Sequence, residues 1–279
     1  MPFDPDALLA LPPAEGRVRI TPTKAILYAL GVGAEDLAYV YEAGLRALPT
    51  MAQTLATPAP AWRDPRHGVD WQRVLHGGTS LTLHAPLPID AQLIVRTALG
   101  PIFDKGSSKG AILIATREIA TTEGQRLATI RDTILLRGNG GFGGDPGAPA
   151  AVQPPPDRAP DAILALPTAP NQALIYRLSG DMNPLHIDPA VAHAAGFERP
   201  ILHGLCTFGI AGRALLALLA DGEPDRIRRI DARFSSPVYP GETIVTEIWR
   251  DGPGRAFFRA ITAERGTAVL SDGTVEFEA

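Results

Sequence analysis

Residues 204–220 read GLCTFGIAGRALLALLA, and this stretch decides the fold class. Apolar side chains fall on nearly every face, so it predicts a long helix buried all round rather than one lying on a surface. Four strand-like runs follow: RIRRIDARFSSPVY (226–239), TIVTEIWRD (243–251), GRAFFRAITAER (254–265) and TAVLSDGTVEFEA (267–279). Turn signals at Pro240-Gly241, Asp251–Gly254 and Asp272-Gly273 set them apart. A buried helix wrapped by antiparallel strands is an α+β module.

Working outward, DPAVAHAAGF (188–197) predicts a short helix, with Asp188 as N-cap, Pro189 in the first turn and Gly196 ending it. ALIYRLSGD (173–181) reads as a strand or its exit. The N-terminal half repeats the order: a helix over Glu35–Leu48, then strand-like SLTLHAPLP (80–88), QLIVRTALGPIFDKG (92–106), GAILIATREIAT (110–121) and QRLATIRDTILLRG (125–138). Between the halves lies GNGGFGGDPGAPAAVQPPPDRAP (138–160), rich in Gly, Pro and Ala and without apolar period. The expected organisation is therefore a module over 1–138, a linker over 139–160 and a second module over 161–279, the repeat being one of pattern without a shared residue motif.

Composition narrows the function. Formal net charge is −4, which argues against a general nucleic-acid or membrane-surface binder. No apolar run reaches the length of a membrane helix, and the N-terminus has neither the basic start nor the apolar stretch of a secretory signal. Cys206 is the single cysteine, so an intrachain disulfide is excluded, and a reducing, cytoplasmic location is expected. The six histidines show no H-x-x-x-H or H-E-x-x-H spacing, so no metal is expected.

The chemistry is concentrated in YRLSGDMNPLHIDPAVAHAAGFERPILHGL (176–205). Asp181, Asn183 and His186 bring an acid, an amide and an imidazole into one turn, shaped by Gly180 and Pro184. Such a turn can aim Asp181 and His186 at one point for general acid–base work. Downstream, Gly204 opens the buried helix. A free backbone N–H there suits an oxyanion, and the missing side chain allows close approach. His203 and Cys206 flank that glycine; Cys206 reads as a small buried residue, and His203 is open to either reading. Lys105 and Lys109 sit in a glycine-containing basic loop, and Arg226, Arg228, Arg229 and Arg233 form a basic stretch entering a strand.

Y-R-L-S-G-D-M-N-P-L-H (176–186), with Ala192 and the H-G-L helix start (203–205), resembles the signature of the hydratase 2 family. These are the MaoC-like (R)-specific enoyl-CoA hydratases, including the hydratase part of peroxisomal multifunctional enzyme type 2. The likeness extends to YALGVGAEDLAYVYE (28–42), ALPT (47–50), VLHGG (74–78), DKGSSKGA (104–111) and ARFSSPVYPGETIVTEIW (232–249). It implies a double hot-dog fold, with a sheet wrapped around a central helix in each module, and one active site per chain. It implies that Asp181 and His186 activate the water, that Asn183 positions them, and that the Gly204 N–H polarises the thioester carbonyl. His76, Gly77, Lys105 and Phe234 are implied to contact substrate or CoA, and Glu42 matches a functionally implicated acid. One departure is H-G-G-T (76–79), where relatives usually show H-G-E-Q.

The resemblance thus implies (R)-specific hydration of a trans-2-enoyl-CoA to a (3R)-3-hydroxyacyl-CoA, reversible and without cofactor, in a homodimer. Three alternatives stand beside it. A biosynthetic 3-hydroxyacyl-thioester dehydratase would use the same groups in reverse. A hot-dog thioesterase would place an acid on or near the central helix, and 204–220 has no Asp or Glu. A non-catalytic acyl-CoA-binding protein would be expected to have lost the acid–base groups.

Overall fold

The computed structural model describes residues 2–56, 64–147 and 154–279. In chain order the regular elements are α1 (Pro5–Leu9), β1 (Ala14–Ile20), α2 (Pro22–Gly31), α3 (Leu37–Val40), β2 (Val74–Leu83), β3 (Ala91–Asp104), β4 (Ala111–Thr121) and β5 (Arg126–Leu136). The second half adds β6 (Ala162–Pro167), α4 (Gln172–Tyr176), α5 (Pro189–Ala194), α6 (Gly204–Leu219), β7 (Ile227–Phe234), β8 (Thr243–Arg250), β9 (Arg255–Thr262) and β10 (Ala268–Phe277). Short 3₁₀ turns join several of them.

All strands form one antiparallel sheet in the order β1-β3-β4-β5-β2-β7-β10-β9-β8-β6. Counted inward from its own edge, each module uses its first, third, fourth, fifth and second strand. The modules meet at β2–β7, where Gly78 pairs with Arg233 and Thr82 with Arg229. This is a double hot-dog fold with its pseudo-twofold axis through the β2–β7 pair. Helix α6 lies against the second module and buries Phe208, Ile210, Ala211, Leu215 and Leu219, as its all-round apolar pattern requires. One core spans both modules, including Leu81, Ile130, Phe208, Ile230 and Phe258.

The first module has no counterpart of α6 in length. In place of the helix expected over Glu35–Leu48, only α3 forms, followed by a 3₁₀ turn at Pro49–Thr54. Gly44 at φ 76° and Pro49 interrupt the run. The longer helix of this module is α2, which the pattern reading missed. Thr21 caps it by accepting the Lys24 N–H, and Pro22 occupies its first turn.

Two further elements differ from expectation. ALIYRLSGD is α4 followed by a 3₁₀ turn at Arg177–Ser179, not a strand, because burying Ala173 and Tyr176 while exposing Leu174 and Leu178 suits a helical period. Asp272-Gly273 is a bulge inside β10 instead of a turn between strands. Asp272 is at φ 49°, and the pairing with β7 shifts between Ser271 and Thr274. Gly273 is needed there, since a Cβ would lie 2.6 Å from the Phe258 carbonyl oxygen. The Gly/Pro-rich stretch begins with residues that the first module holds: the Asp104 carboxylate accepts the N–H groups of Gly141 and Gly143. Residues 148–153 of that stretch lie outside the described residues.

Candidate active site

Gly180, at φ 124°, turns the chain out of the α4 region and into the segment that carries Asp181, Asn183 and His186. Two side-chain turns set its shape. Asp181 Oδ1 accepts the Asn183 N–H at 3.2 Å, and Asn183 Oδ1 accepts the Leu185 N–H at 3.0 Å. Asp181 stays exposed while His186 is buried. The His186 Nδ1–H donates to the Ile201 carbonyl at 2.8 Å, which fixes the tautomer and leaves Nε2 as the acceptor of a neutral ring. Burial pulls the pKa of His186 below its ordinary value, against the Ile201 carbonyl and the Asp181 carboxylate, which pull it up.

His203, the N-cap residue of α6, belongs to the same cluster. A carboxylate oxygen or ring nitrogen from each of Asp181, His186 and His203 lies within 4.8 Å of the others. The rings of His186 and His203 stack at 3.6 Å between centroids and 27° between planes. With the planes nearly parallel and 3.6 Å apart, an ion about 2 Å from each ring nitrogen could not lie in the plane of both rings, where the lone pairs point. The arrangement sets a carboxylate and an imidazole side by side with a second ring stacked on the imidazole. At the helix start, the Gly204 N–H has no hydrogen-bond acceptor among the described residues, as expected for the first turn. The Phe234 ring closes over Gly204, and a Cβ there would lie 3.2 Å from it.

Of the substrate-contact candidates, His76 and Phe234 reach the same corner, their ring centroids 4.8 Å apart. Gly77 packs on Leu135, which a Cβ would meet at 2.8 Å. Lys105 is at the same end of the sheet but three strands from β2, about 14 Å at the usual strand spacing. Its Nζ donates to the carbonyls of Pro146 and Gly147, both at 2.7 Å. Glu42 is exposed after α3, and its carboxylate makes no hydrogen bond or ion pair to the Asp181–His186 cluster.

Sequence reasoning missed the support beneath His76. Asp132 Oδ1 accepts from His76 Nε2 at 3.0 Å and from the Thr79 hydroxyl at 2.8 Å, while Asp132 Oδ2 accepts from Arg117 at 3.0 Å. Arg117 also donates to the carbonyls of Gln53 and Leu55. Burial alone would raise the Asp132 pKa; His76, Arg117 and Thr79 outweigh it and hold the carboxyl at about 2. The alternation Ala128, Ile130, Asp132 on the inward face of β5 was the available signal, an acid at a core position.

The first module repeats the Gly180–His186 turn without its acid and imidazole. Gly33, at φ 73°, takes the place of Gly180. Asp36 matches Asn183 and makes the same turn, accepting the Ala38 N–H. Ala34 then falls where Asp181 does, and Tyr39 where His186 does. Leu48, the cap of the 3₁₀ turn, has φ −64° and ψ 136°, against −59° and 134° at His203. Pro49 therefore stands at the Gly204 position and has no N–H to offer an oxyanion. One chain carries one such constellation among its described residues.

Residues 19–138 match the family described as the MFE-2 hydratase 2 N-terminal domain, and residues 151–272 match the MaoC like domain. The chain is 46% identical over 271 residues to the 3-hydroxyacyl-thioester dehydratase Y of Mycobacterium tuberculosis, covering 93% of each. It is 37% identical to the peroxisomal enoyl-CoA hydratase 2 of Arabidopsis thaliana, covering 96% of this chain and 94% of that one. A crystal structure of a MaoC-like dehydratase from Phytophthora capsici superposes with a TM-score of 0.89 at 34% identity, covering 99% of both chains. With both halves matched in order and whole-length relatives at these identities, the chain belongs to the MaoC-like hydratase 2 family.

Proposed function

We propose that the protein catalyses reversible (R)-specific hydration of trans-2-enoyl-CoA to (3R)-3-hydroxyacyl-CoA, with Asp181 and His186 as the acid–base pair. The observation that carries this reading is the placement of an exposed carboxylate and the bare Nε2 of a buried, neutral imidazole beside the unpaired N–H of Gly204. Water held between Asp181 and His186 Nε2 gives its hydroxyl to C3 as one proton passes to the pair. The double-bond electrons move to the thioester oxygen, where the Gly204 N–H stabilises the enolate by roughly 3 kcal/mol. Return of a proton from the pair to C2 completes the addition, so the water is consumed and the enzyme is unchanged. Both new bonds form on one face. Asn183 holds the Asp181 loop, His76, Gly77 and Phe234 shape the thioester pocket, and Lys105 lies at the end of the sheet from which CoA phosphates would approach. Glu42 is assigned a lesser role on the substrate side.

The similarity to a 3-hydroxyacyl-thioester dehydratase supports a second reading, physiological use in the dehydrating direction by the same groups. A homodimer, a cytoplasmic location, and a first module (1–138) that binds substrate beside a catalytic one (161–279) complete the proposal. No helix among the described residues is long and apolar enough to cross a membrane.

The test follows the enoyl chromophore of crotonyl-CoA and of a longer trans-2-enoyl-CoA, with chiral analysis of the product. Loss of the chromophore to a 3R alcohol is expected, with Asp181→Asn and His186→Ala each slower by about 10²- to 10⁴-fold while still folded. Free thiol release with the enoyl group intact, or a mutant at wild-type rate, would overturn it.

A further inference from the structure

The second histidine of the cluster has a position that the acid–base chemistry alone does not call for. His203 is 1% exposed, and its side chain makes no capping bond to α6. Its Nε2–H donates to the backbone carbonyl of Asp181 at 3.1 Å, reaching from the helix start to the catalytic loop. One face of the ring is stacked on His186, and the Tyr176 ring lies 5.0 Å from it between centroids. Nδ1 is buried and has no partner among the described residues.

These facts fix the charge state by geometry. A proton on Nε2 is required by the bond to Asp181, so a second proton would have to sit on Nδ1, where no acceptor exists. The charged neighbours do not change this outcome. The groups that face the ring are Asp181, His186 and Arg177 on the loop side and Tyr176 on α4; Cys206, one turn into α6, turns its thiol to the Gly31 carbonyl. Tyr176 and Cys206 are neutral, both raised well above their ordinary values chiefly by burial. Burial, then the neighbouring His186, lowers the pKa of His203 to about 4, with Asp181 acting in the other direction and Arg177 adding to the depression.

We propose that His203 is a positioning residue with two separable roles: its Nε2–H anchors the Asp181 loop, and its ring shields His186 from solvent so that His186 remains a neutral base. The first role sets where the carboxylate meets the water. The second sets the pH at which His186 can accept a proton. A ring that only filled space would need neither the hydrogen bond to Asp181 nor a stack on the catalytic imidazole. The kinetic part of this assignment rests on the hydration reading above, whereas the tautomer does not.

Two variants separate the roles. His203→Phe keeps a ring plate and removes the donor; His203→Gln keeps an N–H near the Nε2 position and removes the plate. His203→Phe is expected to lower kcat by about 3- to 10-fold, the value of one net hydrogen bond, with KM and the acid limb of the pH profile unmoved. His203→Gln is expected to move the acid limb to higher pH, a shift His203→Phe does not show, because solvation of His186 raises its pKa. An unaltered kcat in the first variant would remove the anchoring role, and an unmoved limb in the second would remove the shielding role. On the wild-type enzyme, long-range ¹H–¹⁵N spectra of labelled histidine should show His203 as the neutral Nε2–H tautomer from pH 8 to pH 5. An Nδ1–H tautomer or a cation in that range would overturn the proposal even if no variant folds. Should the wild type hydrate no enoyl-CoA, the function reading fails, while the spectra still decide the state of His203.

Discussion

Replacing Asp132 with Asn tests the claim that a buried ion cluster supports the substrate corner. The Asp132 side chain is 11% exposed and the Arg117 side chain 13%, so solvent screening is weak. Its carboxyl titrates at about 2 in the folded protein against an ordinary value of 3.8. At about 1.4 kcal/mol per pH unit, that difference is worth ~2 kcal/mol of stability at neutral pH. The sign follows from the depressed value: the stabilisation is complete above about 4 and disappears as the pH falls toward 2. Asn also leaves the Arg117 guanidinium short of its countercharge, and loss of one partner of a buried pair costs roughly 3–5 kcal/mol. The variant should therefore unfold with about 2–4 kcal/mol less free energy in urea at pH 7. The gap to the wild type should narrow at the lowest pH where both unfold cooperatively. A gap under about 0.5 kcal/mol at pH 7, or one that does not change with pH, would refute the argument.

Four other predictions follow from the same structure. Because burial lowers the pKa of His186 and the ring must be neutral to act, the acid limb of kcat/KM should lie below about 6.5, and a limb at or above that value would contradict it. The folded chain also refuses the proton that His203 takes up when unfolded, so stability should decline as the pH drops from about 6.5 toward 4, as urea titrations would show. Gly204→Ala keeps the N–H but puts a methyl group 3.2 Å from the Phe234 ring, where the thioester must approach; kcat should fall by about 10- to 100-fold with little change in Tm, and equal losses in both would point to misfolding instead. Gly209→Ala drives a Cβ to 2.5 Å from Val32 and 2.8 Å from the Tyr28 hydroxyl, so it should cost about 1–3 kcal/mol and lower Tm by several degrees, with an unchanged Tm refuting the packing.

What could be read from the sequence depended on whether the deciding interaction was local. Helix α6 was legible because its apolar residues cover every face, and α5 because Asp188, Pro189 and Gly196 mark its ends. The strands β2–β5 and β7–β10 followed from β-branched runs between turn signals. The α4 segment was not legible: a short run holding Ile175 and Tyr176 suits a strand as well as a helix, and its packing against α2 decides. Asp272-Gly273 has the composition of a hairpin turn, yet the pairing of β10 with both β7 and β9 continues past it. At the candidate site, the Asp181–His186 segment was visible as contiguous sequence. The Asp132 network was not, because it joins β2, β4, β5 and the 3₁₀ turn through residues 26 to 64 positions apart along most of its links.

The internal repeat, invisible as a motif at first sight, emerges once register is known. Leu83–Asp90, LHAPLPID, overlays Phe234–Gly241, FSSPVYPG, without a gap. Pro86 and Pro237 coincide, and both segments end on a residue at positive φ, Asp90 at 58° and Gly241 at 97°. Leu83 thus stands at the counterpart of Phe234, and the same rotation carries His76 onto the start of β7 near Ile227. Three of the candidate groups have an apolar or donorless residue at their mate: Ala34 for Asp181, Leu48 for His203 and Pro49 for Gly204; the mate of His186 is Tyr39, whose hydroxyl is turned to the Gly222 carbonyl. The fold therefore does not by itself create the site, since the same turn, cap and strand pair occur twice. What differs is the side chains placed on them, and the loss of the long helix in the first module follows the same logic. Pro49 suits the first turn of a helix, so it does not by itself prevent one; the 3₁₀ turn ends at Thr54, and Arg117 then takes up the carbonyls of Gln53 and Leu55. The cation that closes this shortened turn is the one that holds Asp132 under His76. The end of the first module's shortened helix and the support of its own His76 corner thus meet at one arginine.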